Sequence, residues 1–252
     1  MKKITKLLLG GVLVIFLLAL ASQVKADWHQ DNIGWWYSTN NGSYYKDTLA
    51  YIDKNVYRFD ERGYMITGWY LEEYRDTSGS LLKDWSYFDP VSGARLKGWQ
   101  QIDGKWYYFA DYSVHNLALK GFNNIGGKEY YFDPVNADMK TGWISRQSDV
   151  KKWYYYDPES GERLLGWKDI DGKKYYLTSE GAYCGYTYTI DGKLYNFDPV
   201  TCELKTGWLD LNGLRSYADP NDGGAFASNK TLIIDGISYT FDSGGSLINN
   251  IP

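Results

Sequence analysis

The chain has 252 residues, with 27 basic and 31 acidic side chains and a formal net charge of −4. That balance disfavours nucleic acid and anionic membranes, which are bound chiefly through Lys and Arg, and the length suits one ordinary domain or one repeat array. Eighteen per cent of the residues are aromatic, mostly Tyr, which is more rings than a core built from Leu, Ile and Val calls for.

The first segment reads as a secretory signal peptide. Lys2, Lys3 and Lys6 precede an apolar run from Leu7 to Ala21, and Val24-Lys25-Ala26 offers small residues at the cleavage positions. The run is shorter than the roughly 20 residues a spanning helix needs, so no membrane association is expected after cleavage. Removing residues 1–26 takes away four lysines and no acid, moving the net charge to −8. The end of the sequence, "GGSLINNIP", lacks a covalent sorting signal, so any surface attachment is expected from the folded part. Residues 27–67 form a divergent first unit whose expected role is a cap, because the terminal repeats of an array need an atypical outer face.

From residue 68 to 252 the sequence repeats. Gly followed by an aromatic recurs at Trp35, Trp69, Trp99, Phe122, Trp143, Trp167, Tyr186 and Trp208, with Phe226 as a looser relative. Units this short cannot each enclose a core, so they must stack on one another. Within a unit, Asp103-Gly104, Asp171-Gly172, Asp191-Gly192 and Asp235-Gly236, with Asn212-Gly213 as a variant, are the dipeptides of tight hairpin turns. Asp-Pro pairs such as Asp89-Pro90 and Asp133-Pro134 then end the second strand. The expected fold is all-β, a solenoid of stacked β-hairpins of about 20 residues each.

Alternation along the second strand separates two faces. One carries Tyr107 and Phe109, matched by Tyr130 and Phe132, Tyr154 and Tyr156, Tyr175 and Leu177, Tyr195 and Phe197, and Tyr239 and Phe241; this constancy marks the stacking core. The other begins with Trp85, Trp106 and Trp153 in some units and Glu129, Lys174, Leu194, Arg215 and Ser238 in others, a range that fits solvent or a ligand better than a core. For the Gly-Trp tryptophans, packing between units and ligand contact both remain open. Two indoles and a Tyr converging would make a shallow cage suited to a quaternary ammonium ion or to the apolar face of a sugar.

The segments "GWQQIDGKWYYF", "GWISRQSDVKKWYYYDPESG" and "GWKDIDGKKYYL" resemble the choline-binding or cell-wall-binding repeats of Gram-positive surface proteins, relatives of glucan-binding and clostridial toxin repeats. The resemblance implies a secreted wall or cell-surface protein that attaches without covalent bonds to choline on teichoic acids or to a glycan. It also implies cages shared between adjacent units: Trp69, Trp85 and Tyr108; Trp99, Trp106 and Tyr131; Trp143, Trp153 and Tyr176. Lys174 in "DGKKYY" is closer to the glucan and toxin variety.

Other chemistry finds less support. The recurring Asp residues are turn formers without the dense spacing of a calcium loop, so neither metal nor cofactor is expected. The two histidines, His29 and His115, have no recognisable nucleophile context, and the adjacent carboxylates Glu72 and Glu73 should point to opposite faces of a strand. A binding protein is therefore expected rather than an enzyme, with a protein-interaction module as a further alternative. Whether Cys184 and Cys202 pair is left open by the sequence.

Overall fold

The protein is described by a computed structural model covering residues 25–75, 77–111, 117–146 and 152–251, with side chains to residue 248. The signal-peptide reading therefore falls almost entirely outside the described residues. The chain divides into two compact units, up to Leu96 and from Lys97 onward.

The described residues form ten small antiparallel sheets, each built on one hairpin, and the only helical element among them is the 3-10 turn Pro220–Asp222. In the first unit the hairpins are Trp28–Gln30 with Trp35–Tyr37, Thr48–Ile52 with Asn55–Phe59, and Gly68–Arg75 with Leu81–Phe88. Seven follow in the second, beginning with Gly98–Ile102 paired to Lys105–Phe109. Both central residues of the Asp-Gly turns sit at positive φ, as at Asp103 (50°) and Gly104 (76°), which is what a two-residue type I′ turn requires. Gly68, Gly98, Gly142, Gly166 and Gly207, each before a Trp, also sit at positive φ, and an added Cβ there would meet open space. Backbone conformation, not crowding, demands glycine there.

The two-face reading of the second strand holds. Tyr107, Tyr130, Tyr154 and Tyr175 are buried, and Phe59, Phe88, Phe109, Phe132, Tyr156 and Phe197 are fully so. On the other face Trp35 and Trp106 are about 40% exposed.

After several of the hairpins the chain turns back through an Asp. Oδ1 of Asp89, Asp133, Asp157 and Asp198 accepts the N–H groups two and three residues on, so the side chain closes the turn that Pro begins. The returning residue then bridges the end of its own hairpin, as in Phe59 with Met65, Phe88 with Arg95, Phe132 with Met139, Tyr156 with Arg163 and Phe197 with Leu204. The same returning residue links the stack. Met65 donates its N–H to the Trp35 carbonyl at 2.7 Å, Arg95 to Val56, Arg163 to Glu129 and Leu204 to Lys174, each at 2.8–2.9 Å.

The returning side chains lodge against glycines of the next turn. A Cβ on Gly93 would collide with Met65, one on Gly161 with Met139, and one on Gly224 with Leu204 Cδ2 at 2.7 Å. Within the second unit, ion pairs add a lighter tie between successive hairpins, Lys128 with Glu162, Lys173 with Glu203 and Lys193 with Asp222. The lysines of these pairs are solvent-exposed, so the ties are weak. Cys184 and Cys202 form a disulfide across 18 residues.

Two registers differ from the sequence expectation. Trp28 pairs with Tyr37 and Gln30 with Trp35, just as Trp99 pairs with Tyr108 and Gln101 with Trp106. Trp28 thus holds the Gly-Trp position and Trp35 the hairpin position, although Gly34 precedes Trp35. The hairpin after Gly185 carries one extra residue, so Thr187 rather than Tyr186 faces Asn196, and Tyr186 is left 72% exposed.

Candidate functional site

The Gly-Trp tryptophans share one geometry. Trp28 meets Tyr57 of the next hairpin at 4.8 Å and 68°, and Trp99 meets Tyr130 at the same values. Trp143 with Tyr175, Trp167 with Tyr195 and Trp208 with Tyr239 are also at 4.8 Å, all edge-on. This contact persists where the hairpin position holds Lys174 or Arg215, so packing between hairpins is a standing role of these tryptophans whatever else they touch. Edge-to-face pairs of this kind add about 0.5–1.5 kcal/mol beyond burial.

Hairpin tryptophans differ in that they come and go. Trp85 stands nearly at right angles to Trp69, 6.1 Å away, and Trp106 to Trp99, 6.4 Å away. Trp143 and Trp153 pack together against the cluster of Ile170, Tyr175, Leu177 and Cys202.

The third ring of two of the expected cages needs correction. Tyr131 lies against Phe122 of its own hairpin at 4.6 Å and near Tyr156, while the ring presented to Trp99 is Tyr130. Tyr176 lies edge-on to Trp167 of its own hairpin, and Trp143 receives Tyr175 instead. Tyr108, in the second unit, is 5.2 Å from Trp99. The physical reason is the alternation of the strand. Tyr130 and Tyr175 point into the stack, where the preceding hairpin's tryptophan arrives; Tyr108, Tyr131 and Tyr176 point back over their own.

One cleft shows the complete arrangement. Trp28, Trp35, Tyr57 and Met65, rimmed by Val91 and Ser92, enclose about 320 Å³. Two tryptophans come from one hairpin, and the Tyr and the Met come from the next. All four central side chains are uncharged and electron-rich. This cleft lies in the segment whose expected role is a cap; the seven-residue spacing from Trp28 to Trp35, equal to that from Trp99 to Trp106, is the signal in the sequence that marks it. Trp99, Trp106, Tyr130 and Met139 occupy the corresponding positions in the second unit, where the strand bearing Met139 lies against that bearing Trp106. Tyr130 is held above the usual phenol range by burial, so it remains neutral and aromatic at physiological pH.

At three other joints the equivalent space is filled from within. Arg163 stands at the Met position behind Glu129, pairs with it at 2.8 Å, and lies 5.6 Å over the Tyr154 ring. Tyr156 donates its hydroxyl to the same Glu129 oxygen at 2.8 Å, and burial together with that bond pushes the phenol strongly up. Arg95, also at a Met position, is buried beside Glu72 at 3.6 Å. Arg215, at the hairpin position, lies 4.7 Å over the Trp208 ring. In each case a guanidinium occupies ring or carboxylate surface that a ligand cation would otherwise use.

The other chemistry weighed from the sequence is accounted for locally. Glu72 is buried with Arg95 and Glu73 pairs with Lys83 at the surface, on opposite faces. His29 stacks on Trp36 and hydrogen-bonds Ser38, while His115 lies outside the described residues. Among the described residues no His, Cys, Asp and Glu group is arranged to hold a metal ion.

Comparison with known proteins agrees with this geometry. Residues 119–165 match the model of the choline-binding repeat, and residues 97–111 and 166–183 match that of a putative cell wall binding repeat. The fold is similar to that of choline binding protein F from Streptococcus pneumoniae, at 21% identity and a TM-score of 0.56, covering 90% of this chain and 99% of that one. A second structure of that protein, determined in the presence of a tetrasaccharide-pentapeptide peptidoglycan analogue, gives 22% identity with the same TM-score and coverage. A lysin of Pneumococcus phage Dp-1 is 38% identical over 56 residues, 21% of this chain; the match spans only 19% of the lysin. Residues 97–111 and 119–183 thus match repeats of the choline-binding and cell-wall-binding kind, and the fold as a whole is similar to that of a choline-binding protein.

Proposed function

We propose that this chain is a secreted, non-catalytic wall-binding protein that holds choline on teichoic acids, without covalent attachment, in cages at the joints between hairpins. The observation that carries this reading is the cleft of Trp28, Trp35, Tyr57 and Met65. A quaternary ammonium ion has no hydrogen to donate, so it needs no acceptor. It is held by ring faces, each contributing about 0.5–2 kcal/mol, and by a polarisable thioether. The acidic balance of the chain after removal of residues 1–26 favours the same cation.

Individual sites of this kind bind on the order of millimolar, and a polymer with repeated headgroups gains avidity by engaging several at once. Choline titration followed by tryptophan fluorescence tests the reading. Trp35→Ala and Trp106→Ala should each remove about one equivalent of bound choline. If choline at tens of millimolar changes neither fluorescence nor thermal stability, the reading fails and wall glycans become the next ligands to screen.

A further inference from the structure

The first hairpin carries a second cleft of different chemistry. It encloses about 280 Å³ and is lined by Asp31, Trp36, Tyr44, Arg62 and Tyr64, none of which lines the Trp28 cage. Trp36 is backed on one face by His29, whose ring stacks at 4.2 Å and 18°, and Tyr44 meets it edge-on at 6.0 Å. His29 is itself held by Ser38 at 3.0 Å, so the indole is braced rather than loose.

Polar groups around these rings are fixed in place and only partly used. Asp31 accepts the N–H groups of Ile33 and Gly34 on Oδ1, at 2.8 and 3.1 Å, and the Tyr64 hydroxyl on Oδ2 at 2.8 Å. Those bonds, with the Ile33 N–H contributing most, keep its carboxyl below the usual range, so it is an anion throughout the neutral region. A carboxylate offers about four acceptor positions, and one is left over. Arg62 gives Nε and Nη2 to Asp60, at 3.3 and 3.2 Å, and lies 5.6 Å over Tyr64. Nη1 of its five-donor fork remains to bond a ligand.

We infer that this cleft is a saccharide subsite, taking one neutral pyranose ring of a glycan, stacked by its C–H face on Trp36 with its hydroxyls between Asp31 and Arg62. Three features separate it from a choline cage. A guanidinium already covers the cation-attracting surface of Tyr64 and repels a second cation. An acceptor and a donor stand side by side, which suits a hydroxyl because it both accepts and donates. The volume fits one ring, so an oligosaccharide would continue into solvent, as a wall or extracellular glycan does. The inference does not depend on the choline reading, since it rests on other residues.

The test uses the whole mature chain with choline present at saturation, and follows the indole N–H resonances by NMR while isomaltotriose and chitotriose are titrated separately. Expected are a shift of the Trp36 resonance with at least one trisaccharide, an unshifted Trp35 resonance, and binding weakened at least tenfold in both Trp36→Ala and Arg62→Ala. Arg62 is exposed and pairs only with its neighbour Asp60, so its variant keeps the fold, to be checked by melting temperature. The inference is overturned if neither sugar moves Trp36 at tens of millimolar, if choline alone moves Trp36 and Trp35 together, or if both variants bind the sugar as the parent does.

Discussion

The Trp28 cleft and the Phe122 joint are the same piece of architecture with opposite contents. In both, one hairpin supplies two side chains, and the next supplies a buried Tyr and a returning residue tied by its N–H to the hairpin-position carbonyl, Met65 to Trp35 and Arg163 to Glu129. In the first the four side chains leave an uncharged cavity. In the second Glu129, Arg163 and the Tyr156 hydroxyl satisfy one another, and Arg146 covers Phe122 at 4.8 Å. The backbone therefore does not decide whether a joint binds. On the proposed reading two side chains do: the hairpin residue and the returning residue.

The largest effect should come from damage to what the two joints share. Phe132→Ala removes a ring with no exposed surface, and a loss of about 3–5 kcal/mol in urea unfolding is expected, whatever the choline occupancy. Next is Glu129→Ala, which strips the acceptor from Arg163 and from Tyr156; denaturant midpoints should fall by an amount worth about 2–3 kcal/mol. The double replacement Glu129→Trp with Arg163→Met should recover much of that loss and raise the choline stoichiometry, measured by equilibrium dialysis, by one. No added equivalent would mean that cage residues alone do not make a site. Trp35→Ala, by contrast, should cost less than about 1 kcal/mol because its ring is 39% exposed, while removing one equivalent of choline.

The smallest effect common to both regions is acid sensitivity of the turns. The N–H groups of Thr201 and Val200 hold the Asp198 carboxyl at about 2, and the equivalent bonds, led by those from Ser92, Asn136 and Ser160, lower Asp89, Asp133 and Asp157. A carboxylate depressed in the folded state contributes stability above its unfolded value, near 4, and loses it as pH falls towards 2. Melting temperature should be flat between pH 5 and about 7 on this account and decline progressively below pH 4. Asp198→Asn should flatten part of that decline.

The hairpins and the buried rings were legible because their signals are local. Asp-Gly sets a turn, and alternation at Tyr107, Tyr108 and Phe109 sets a face. Which ring meets Trp99 was not legible, because it depends on how one hairpin is offset against the next, and nothing in "KEYYF" distinguishes Tyr130 from Tyr131 in that respect. The Trp28 cage was hidden by a local resemblance, Gly34-Trp35 imitating the Gly-Trp pair, while its true register lay in the spacing of two tryptophans. The internal ion pairs were hidden for another reason. Glu129 and Arg163 are 34 residues apart, and only the stack brings them together.

Consider finally the glycine that receives each returning side chain. Gly93 takes Met65, Gly161 takes Met139, Gly224 takes Leu204, and even Gly63 has a Cβ position only 2.6 Å from the Tyr44 ring. Every such repeat carries a peg for the following one and a notch for the one before, of a shape that accepts thioether, aliphatic and aromatic pegs alike. Joints of that kind make the repeats interchangeable parts. A stretch of DNA duplicated or lost in whole repeats leaves matching ends, so the number of binding joints in such a chain can drift over generations without any redesign of its interior.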